Sequence, residues 1–198
     1  PDMAQALVGS GSIGVALPHR ELRVGDDEAR PLPRGQAGEL LIRGTAMMDG
    51  YYGDAEATQI AFARGWYHTG DLATMDAQGL VRIVGRKKDM IRRSGENIAA
   101  AEVEAVIEQH PAVLLAAVIA VPDALRGEEA KAFVVLRDPQ QPFEPETLAS
   151  FVEARLARFK VPRYWERRDD LSRTASERVA KHLLSHIPGA PGVYDRTG

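Results

Sequence analysis

The residues best suited to chemistry gather in one short stretch. Between Gly85 and Gly95 the chain carries Arg86, Lys87, Lys88, Arg92 and Arg93, five cations around the apolar pair Met90-Ile91. A charged, glycine-bounded segment between two differently patterned regions reads as a linker with function attached. Taken alone, the same run reads as a solvated hairpin, because charge runs are usually solvated faces. The other reactive side chains are dispersed. His68, His110, His182 and His186 show no metal-ligand spacing. No cysteine is present, which excludes disulfides, thiolate metal sites and a cysteine nucleophile. Gly9, Gly11 and Gly14 loosely follow the G-x-G-x-x-G spacing, but no strand precedes them and no helix clearly follows, so a plain turn is expected.

These residues need elements to hold them, and the patterning changes at the cationic stretch. Before it, Glu21–Val24 and Gly38–Gly44 read as strands, and Pro31–Gly35 as a turn. Asp54 is expected to cap a short helix through Phe62. Asp76–Gly79 then turns the chain into a strand over Leu80–Val84. After it, Ala99, Val103, Val106, Ile107 and His110 share one helical face, and Pro111 stops that helix. Val113–Val121 reads as a strand covered on both faces and ended by Pro122, with Lys131–Leu136 as its successor. Pro145 suits the first turn of a helix whose buried stripe is Leu148, Phe151, Val152, Leu156 and Phe159. Arg163–Glu166 predicts a third strand, and Ser176 a cap for a last helix through Leu184. The fold class is therefore α+β: a small β-rich, barrel-like subdomain over 1–84, a hinge at 85–89, and a domain over 90–198 with a short sheet flanked by helices.

Composition limits the function. The chain has 198 residues, 44% hydrophobic and 27% charged, with a net charge of −3, which argues against a nucleic-acid protein. The longest apolar run, 112–121, is too short to span a bilayer. With no basic-then-apolar leader, a cytoplasmic location is expected. A first residue of Pro suggests a fragment.

Four motifs stand in a familiar order. They are Gly38-Glu39-Leu40 with Gly44 and Gly50-Tyr51-Tyr52; Tyr67-His68-Thr69-Gly70-Asp71; Gly85-Arg86-Lys87-Lys88-Asp89 with Gly95-Glu96-Asn97-Ile98 and Glu102-Val103-Glu104; and Leu171-Ser172-Arg173-Thr174-Ala175-Ser176. Together they resemble the AMP-forming, adenylate-forming superfamily of acyl-CoA synthetases, peptide-synthetase adenylation domains and luciferases. The likeness covers nearly the whole chain, but only the C-terminal part of such an enzyme. The superfamily's phosphate loop and acid pocket would lie upstream of Pro1.

The resemblance implies roles. Asp71 would accept hydrogen bonds from both ribose hydroxyls of ATP or AMP, one per carboxylate oxygen. Arg86 would also reach the ribose, so the two must not face away from each other. Lys88 falls at the hinge, about which the smaller domain swings between an adenylating and a thioester-forming pose. Gly95 would lie near the pantetheine channel, where a side chain would obstruct, and Arg92 and Arg93 would meet CoA phosphates. One departure stands out. The superfamily's Gly-Lys after Arg-Thr is here Glu177-Arg178. Either Arg178 does the lysine's electrostatic work, or Lys181, one helical turn on, reaches in, or adenylation is slow or absent. Glu177 would partly neutralise Arg178.

The implied activity is that of an acid–CoA ligase using ATP, Mg2+ and coenzyme A with a small carboxylic acid, without a side-chain nucleophile. Val193-Tyr194-Asp195-Arg196 resembles the ending of crotonobetaine/carnitine–CoA ligase-like and related synthetases, which favours a stand-alone ligase over a peptide-synthetase domain. A non-catalytic nucleotide- or CoA-binding module and a bare interaction domain remain as alternatives. Residues 1–84, expected to have lost a large neighbour, suggest a homo-oligomer. The fragment alone is expected to be inactive.

Overall fold

Strand-period alternation dominates the first part of the chain, and the helices that build a core stripe come after the cationic stretch. The computed structural model describes residues 11–197. They fall into two compact units, and the chain passes from one to the other at Lys88–Asp89. No helix among the described residues is long and apolar enough to cross a membrane.

The first unit is an antiparallel meander of β1 (Arg20–Gly25), β2 (Gly38–Gly44), β3 (Tyr67–Met75) and β4 (Val81–Arg86) in sequential order. Among the described residues β4 does not pair with β1, but the segment just before β1 bridges to β4 through Gly14 and Val81. Strand β2 is buried on both faces. Leu40 joins Val24, Ala73, Met75 and Val81 on one side, and Leu41 joins Ala29 and Trp66 on the other. That division follows from the two-residue period of a strand. The β3–β4 turn forms because Asp76 Oδ1 accepts from the Gln78 and Leu80 N–H groups while Gly79 takes φ +82°. Helix α1 (Ala55–Ala61) begins where Asp54 accepts from Ala57 N–H at 2.8 Å. Gly14 pairs with Val81 as a β-bridge, so Gly11 and Gly14 open no helix; Gly9 lies outside the described residues.

In the second unit β5 (Met90–Arg93) and β6 (Glu96–Ala99) form a hairpin through Ser94 and Gly95. Both turn residues have positive φ, 51° and 85°, the pattern of a two-residue primed turn. Helix α2 (Ala100–Ile107), β7 (Val113–Asp123) and β8 (Gly127–Leu136) follow; then α3 (Pro145–Glu153), β9 (Tyr164–Arg167) and β10 (Val193–Asp195). The sheet order is β10-β9-β8-β5-β6, with β7 paired to β8 and β8–β9 the parallel pair. Helices α2 and α3 cover one face, burying Val103, Ile107, Leu148 and Val152 against Val118, Val134 and Trp165. The opposite face, with Ala117, Ile119, Val121 and Phe133, is covered by Leu171, Val179 and Leu184. Strand β7 is thus covered on both faces, as its apolar run requires, and it continues through Pro122 to Asp123. Pro122 can lie in β7 because among the described residues that strand pairs only with β8. Glu108 Oε1 and Glu104 Oε1 accept from the Ala116 and Val118 N–H groups of β7.

The helix expected from Ser176 to Leu184 is absent. Arg173 instead bridges to Val179 around a turn in which Thr174 N–H donates to Arg178 O at 2.7 Å and Glu177 has φ +59°. Folding back here brings both Leu171 and Val179 onto the sheet face; only a single 3-10 turn, Lys181–Leu183, follows. Helix α3 likewise ends at Glu153, so Leu156 and Phe159 reach the core from the segment beyond it.

Candidate functional site

In the first unit, β3 and β4 place the two ribose candidates directly opposite each other. Asp71 and Arg86 are register partners, and they form an ion pair with Arg86 Nε 2.7 Å from Asp71 Oδ1. Both side chains remain partly exposed, at 28% and 42%. Asp71 Oδ2 and the terminal guanidinium nitrogens have no partner among the described residues. One carboxylate oxygen and several N–H donors are therefore open to a polyhydroxyl ligand. Beside them lies an open depression of about 390 Å³ lined by Gly70, Arg86, Lys87 and Lys88. Thr69 Oγ accepts from Asp71 N–H at 3.0 Å and donates to Leu40 O, fixing the peptide that carries the carboxylate. Tyr67 and Tyr51 hydroxyls lie 3.3 Å apart, and that hydrogen bond, with burial, holds the Tyr67 phenol above its ordinary pKa.

Beneath this surface sits Glu39, which belongs to the first motif but was given no role there. Its side chain is only 4% exposed. Lys87 Nζ lies 2.8 Å and His68 Nδ1 3.0 Å from Oε2, and Gly70 N–H donates to Oε1 at 3.1 Å. Burial pushes the Glu39 carboxyl up, but Lys87, His68 and Gly70 outweigh it and the net shift is downward. Lys87 also pairs with Asp27 at 2.9 Å, and its ammonium is held above the usual lysine value despite burial. With Nδ1 directed at Glu39, His68 Nε2 is buried without a hydrogen-bond partner. A glutamate at an inward strand position beside glycine was the available signal for this network.

The cations of the pivot stretch divide sharply. Lys88 is exposed in the 3-10 turn Lys87–Asp89, which leaves only those residues irregular between β4 and β5; Gly85 and Arg86 belong to β4. In the second unit Arg92 is exposed; its backbone N–H donates to Glu128, and among the described residues its side chain has no partner. Arg93 is engaged within the unit, although it also lines an open depression of about 460 Å³ with Arg126, Arg163 and Arg196. Its guanidinium donates to Glu129 Oε2 at 2.7 Å and to Phe159 O at 3.3 Å, because the fully buried Glu129 needs a counter-charge. At Gly95 no atom lies within 4 Å of the site a Cβ would take, so the primed turn, rather than crowding, accounts for glycine here.

Arg178 and Lys181 also part company. Arg178 is exposed on the Thr174–Arg178 turn, and its guanidinium has no partner among the described residues. Glu177 does not neutralise it; the nearest cation to that carboxylate is Arg173, at 3.9 Å. Lys181 does not lie one helical turn from Arg178. With no helix between them they share no face, and Lys181 Nζ is held by Glu104 at 2.6 Å and Asp89 at 3.8 Å. Lys131 is fully buried, paired with Glu166 at 2.8 Å and donating to Ile187 O at 2.8 Å. Arg163 binds Asp195 through two N–H groups at 2.9 Å, which holds that carboxyl down to about 2. Among the described residues no three His, Asp or Glu side chains cluster to hold a metal ion.

The comparisons with known proteins agree on one family. The AMP-binding enzyme profile matches residues 2–52, and the profile of the AMP-binding enzyme C-terminal domain matches 102–178. A long-chain-fatty-acid–CoA ligase of Escherichia coli is 42% identical over 175 residues, 88% of this chain and 31% of that protein. A putative acyl-CoA synthetase of Bacillus subtilis is 45% identical over 86% of this chain and 31% of its own length. Among solved structures, the o-succinylbenzoate–CoA synthetase of Bacillus subtilis, in complex with its acyl-adenylate intermediate, superposes with a TM-score of 0.81. It is 31% identical, over 91% of this chain and 36% of that one. The chain thus spans about a third of the length of the curated relatives it matches. With both profiles in their proper order, this chain belongs to the AMP-binding enzyme family.

Proposed function

We propose that this chain is the C-terminal portion of an AMP-forming acid–CoA ligase. The observation that carries the reading is the Asp71–Arg86 pair, preorganised across β3 and β4 with hydrogen-bonding capacity still free. In the first half-reaction a carboxylate oxygen attacks the α-phosphorus of ATP, giving acyl-adenylate and pyrophosphate. In the second, the CoA thiol attacks the acyl carbon and AMP leaves. Asp71 accepts the ribose hydroxyls, Arg86 steadies the same ring, and the exposed Arg178 lowers the energy of negative charge developing at the phosphate. Positioning and charge stabilisation supply the catalysis, so no side-chain nucleophile is needed. Mg2+ is assigned to the phosphates of ATP, and no residue of this chain is assigned to it.

Lys88 is the proposed hinge, at the passage between the two units. An exposed residue in a 3-10 turn can change φ and ψ without disturbing a core. Arg92, whose side chain is the more exposed, and Arg93 are the candidates for a CoA phosphate, and Gly95 for the pantetheine side. The acid class suggested by the relatives is a fatty or aromatic carboxylate; a cytoplasmic location and self-association belong to the same proposal. Arg178 in place of lysine favours one alternative, a relative that binds nucleotide without turning it over.

The test is made on the natural polypeptide that carries this chain. ATP, Mg2+ and a panel of acids should release pyrophosphate, and CoA should then yield a thioester. Lys88→Pro, by fixing φ, should slow thioester formation at least tenfold more than adenylation, by about the cost of a misplaced proline. Equal loss of both steps would remove the hinge, and nucleotide binding without pyrophosphate would favour the alternative.

A further inference from the structure

We infer that Glu39 is a positioning residue that sets, with one buried carboxylate, both the nucleotide-contact turn and the chain at the start of the hinge. Its catalytic meaning rests on the ligase reading above, while its geometry stands without it. The two oxygens have separate tasks. Oε1 receives Gly70 N–H at 3.1 Å, and Gly70 takes φ +69° immediately before Asp71. That bond fixes the peptide from which the Asp71 carboxylate projects toward Arg86. Oε2 receives Lys87 Nζ at 2.8 Å and His68 Nδ1 at 3.0 Å. Lys87 follows Arg86 and opens the 3-10 turn that contains Lys88, so the second bond fastens the chain one residue before the hinge.

The arms differ in what they demand of residue 39. A neutral carbonyl oxygen satisfies the Gly70 amide, whereas the Lys87 ammonium needs a negative partner. Asp27, the other anion on Lys87, is exposed, so it holds the ammonium less firmly than the buried Glu39. Two processes that would otherwise be independent, holding the nucleotide and releasing the hinge, therefore meet in a single side chain on β2.

Three variants separate the arms. Glu39→Gln keeps an acceptor for Gly70 and removes the charge; Glu39→Ala removes both; Lys87→Met removes the second arm alone. In the natural polypeptide, Glu39→Ala should raise KM for ATP in acid-dependent ATP–pyrophosphate exchange by about tenfold or more, the size of one lost hydrogen bond involving a charged group. Glu39→Gln and Lys87→Met should leave that KM within about threefold, while all three variants change the single-turnover thioester rate about tenfold. The 198-residue chain gives a second readout that needs no turnover. Gly70 amide exchange should accelerate in Glu39→Ala but not in Glu39→Gln, and tryptic cleavage after Lys88 should rise about fivefold in all three, through local opening.

Equal Gly70 exchange in Glu39→Ala and wild type, or unchanged cleavage at Lys88 in Lys87→Met, overturns the inference. Should Glu39→Ala fail to fold, accelerated Gly70 exchange in Glu39→Gln overturns the first arm, and Lys87→Met still decides the second. A wild type silent in pyrophosphate exchange, with the exchange and cleavage changes as expected, sinks the ligase reading and leaves the positioning role standing. Normal wild-type turnover with an unmoved ATP KM in Glu39→Ala does the reverse.

Discussion

The end of the β3–β4 ladder and the Thr174–Arg178 turn each carry a residue assigned to the nucleotide, and they are built in opposite ways. Asp71 is held by its register partner, by Thr69 and by a peptide that Glu39 clamps from below. Arg178 projects from an exposed turn, and among the described residues its guanidinium has no partner. Recognition of two adjacent hydroxyls demands fixed acceptor geometry, so that site is preorganised. Stabilising charge on a phosphate demands reach more than direction, and a free guanidinium on a turn supplies it. The second unit places its rigid ionic contacts elsewhere, at Lys131, Glu129 and Arg163, where they fasten the framework that presents the turn.

The sharpest way to break that contrast is Lys131→Met. Removing the ammonium leaves Glu166 with Arg168, 2.6 Å from its other oxygen, as its remaining counter-charge. Loss of this fully buried contact should cost the second unit about 3 kcal/mol, read as a lower urea midpoint. An unchanged midpoint would mean that the framework does not depend on this contact. Arg178→Ala comes next. It should slow adenylation about 100- to 1000-fold with no change in melting, whereas Arg178→Lys should preserve or raise the rate. A thermal shift in either variant would show that Arg178 is not free. Asp71→Ala is expected to raise KM for ATP by about 10- to 100-fold, as lost hydrogen bonds to a charged group would. Smallest is an acid effect at Asp195. Its folded pKa lies near 2, below the ordinary 3.8, so its contribution is complete above the unfolded value and is lost as pH falls from about 4 toward 2. Asp195→Asn should flatten that limb of the stability curve, and an unchanged limb would place the acid sensitivity elsewhere.

Much of this architecture was legible without coordinates. Strand β2 is bounded by the glycines that announced it, Asp54 caps α1, and Pro145 opens α3, because each is a local choice made by one or two residues. The expected helix at Ser176–Leu184 failed because its apolar residues answer to the sheet face beneath them. Leu171 and Val179 both reach that face only if the chain reverses between them. Strands β5 and β6 were legible only as a hairpin, since their cations obscure the alternation of Ile91 and Ile98 inward. At the site, the motif order found Asp71 and Arg86, whereas nothing in the sequence says which lysine or arginine will be engaged from within. Arg93 and Lys181 are held by Glu129 and Glu104, partners 36 and 77 residues away, and only folding reveals such pairs.

The glutamates of α2 that accept from Ala116 and Val118 have a bearing on assembly. Strand β7 pairs on one side only, so its other flank would ordinarily invite a foreign strand to dock. With two of its donors already capped by carboxylates, that flank is a finished selvedge. A neighbour that joins along β7 must meet it face to face, through side chains, and not by lengthening the weave there.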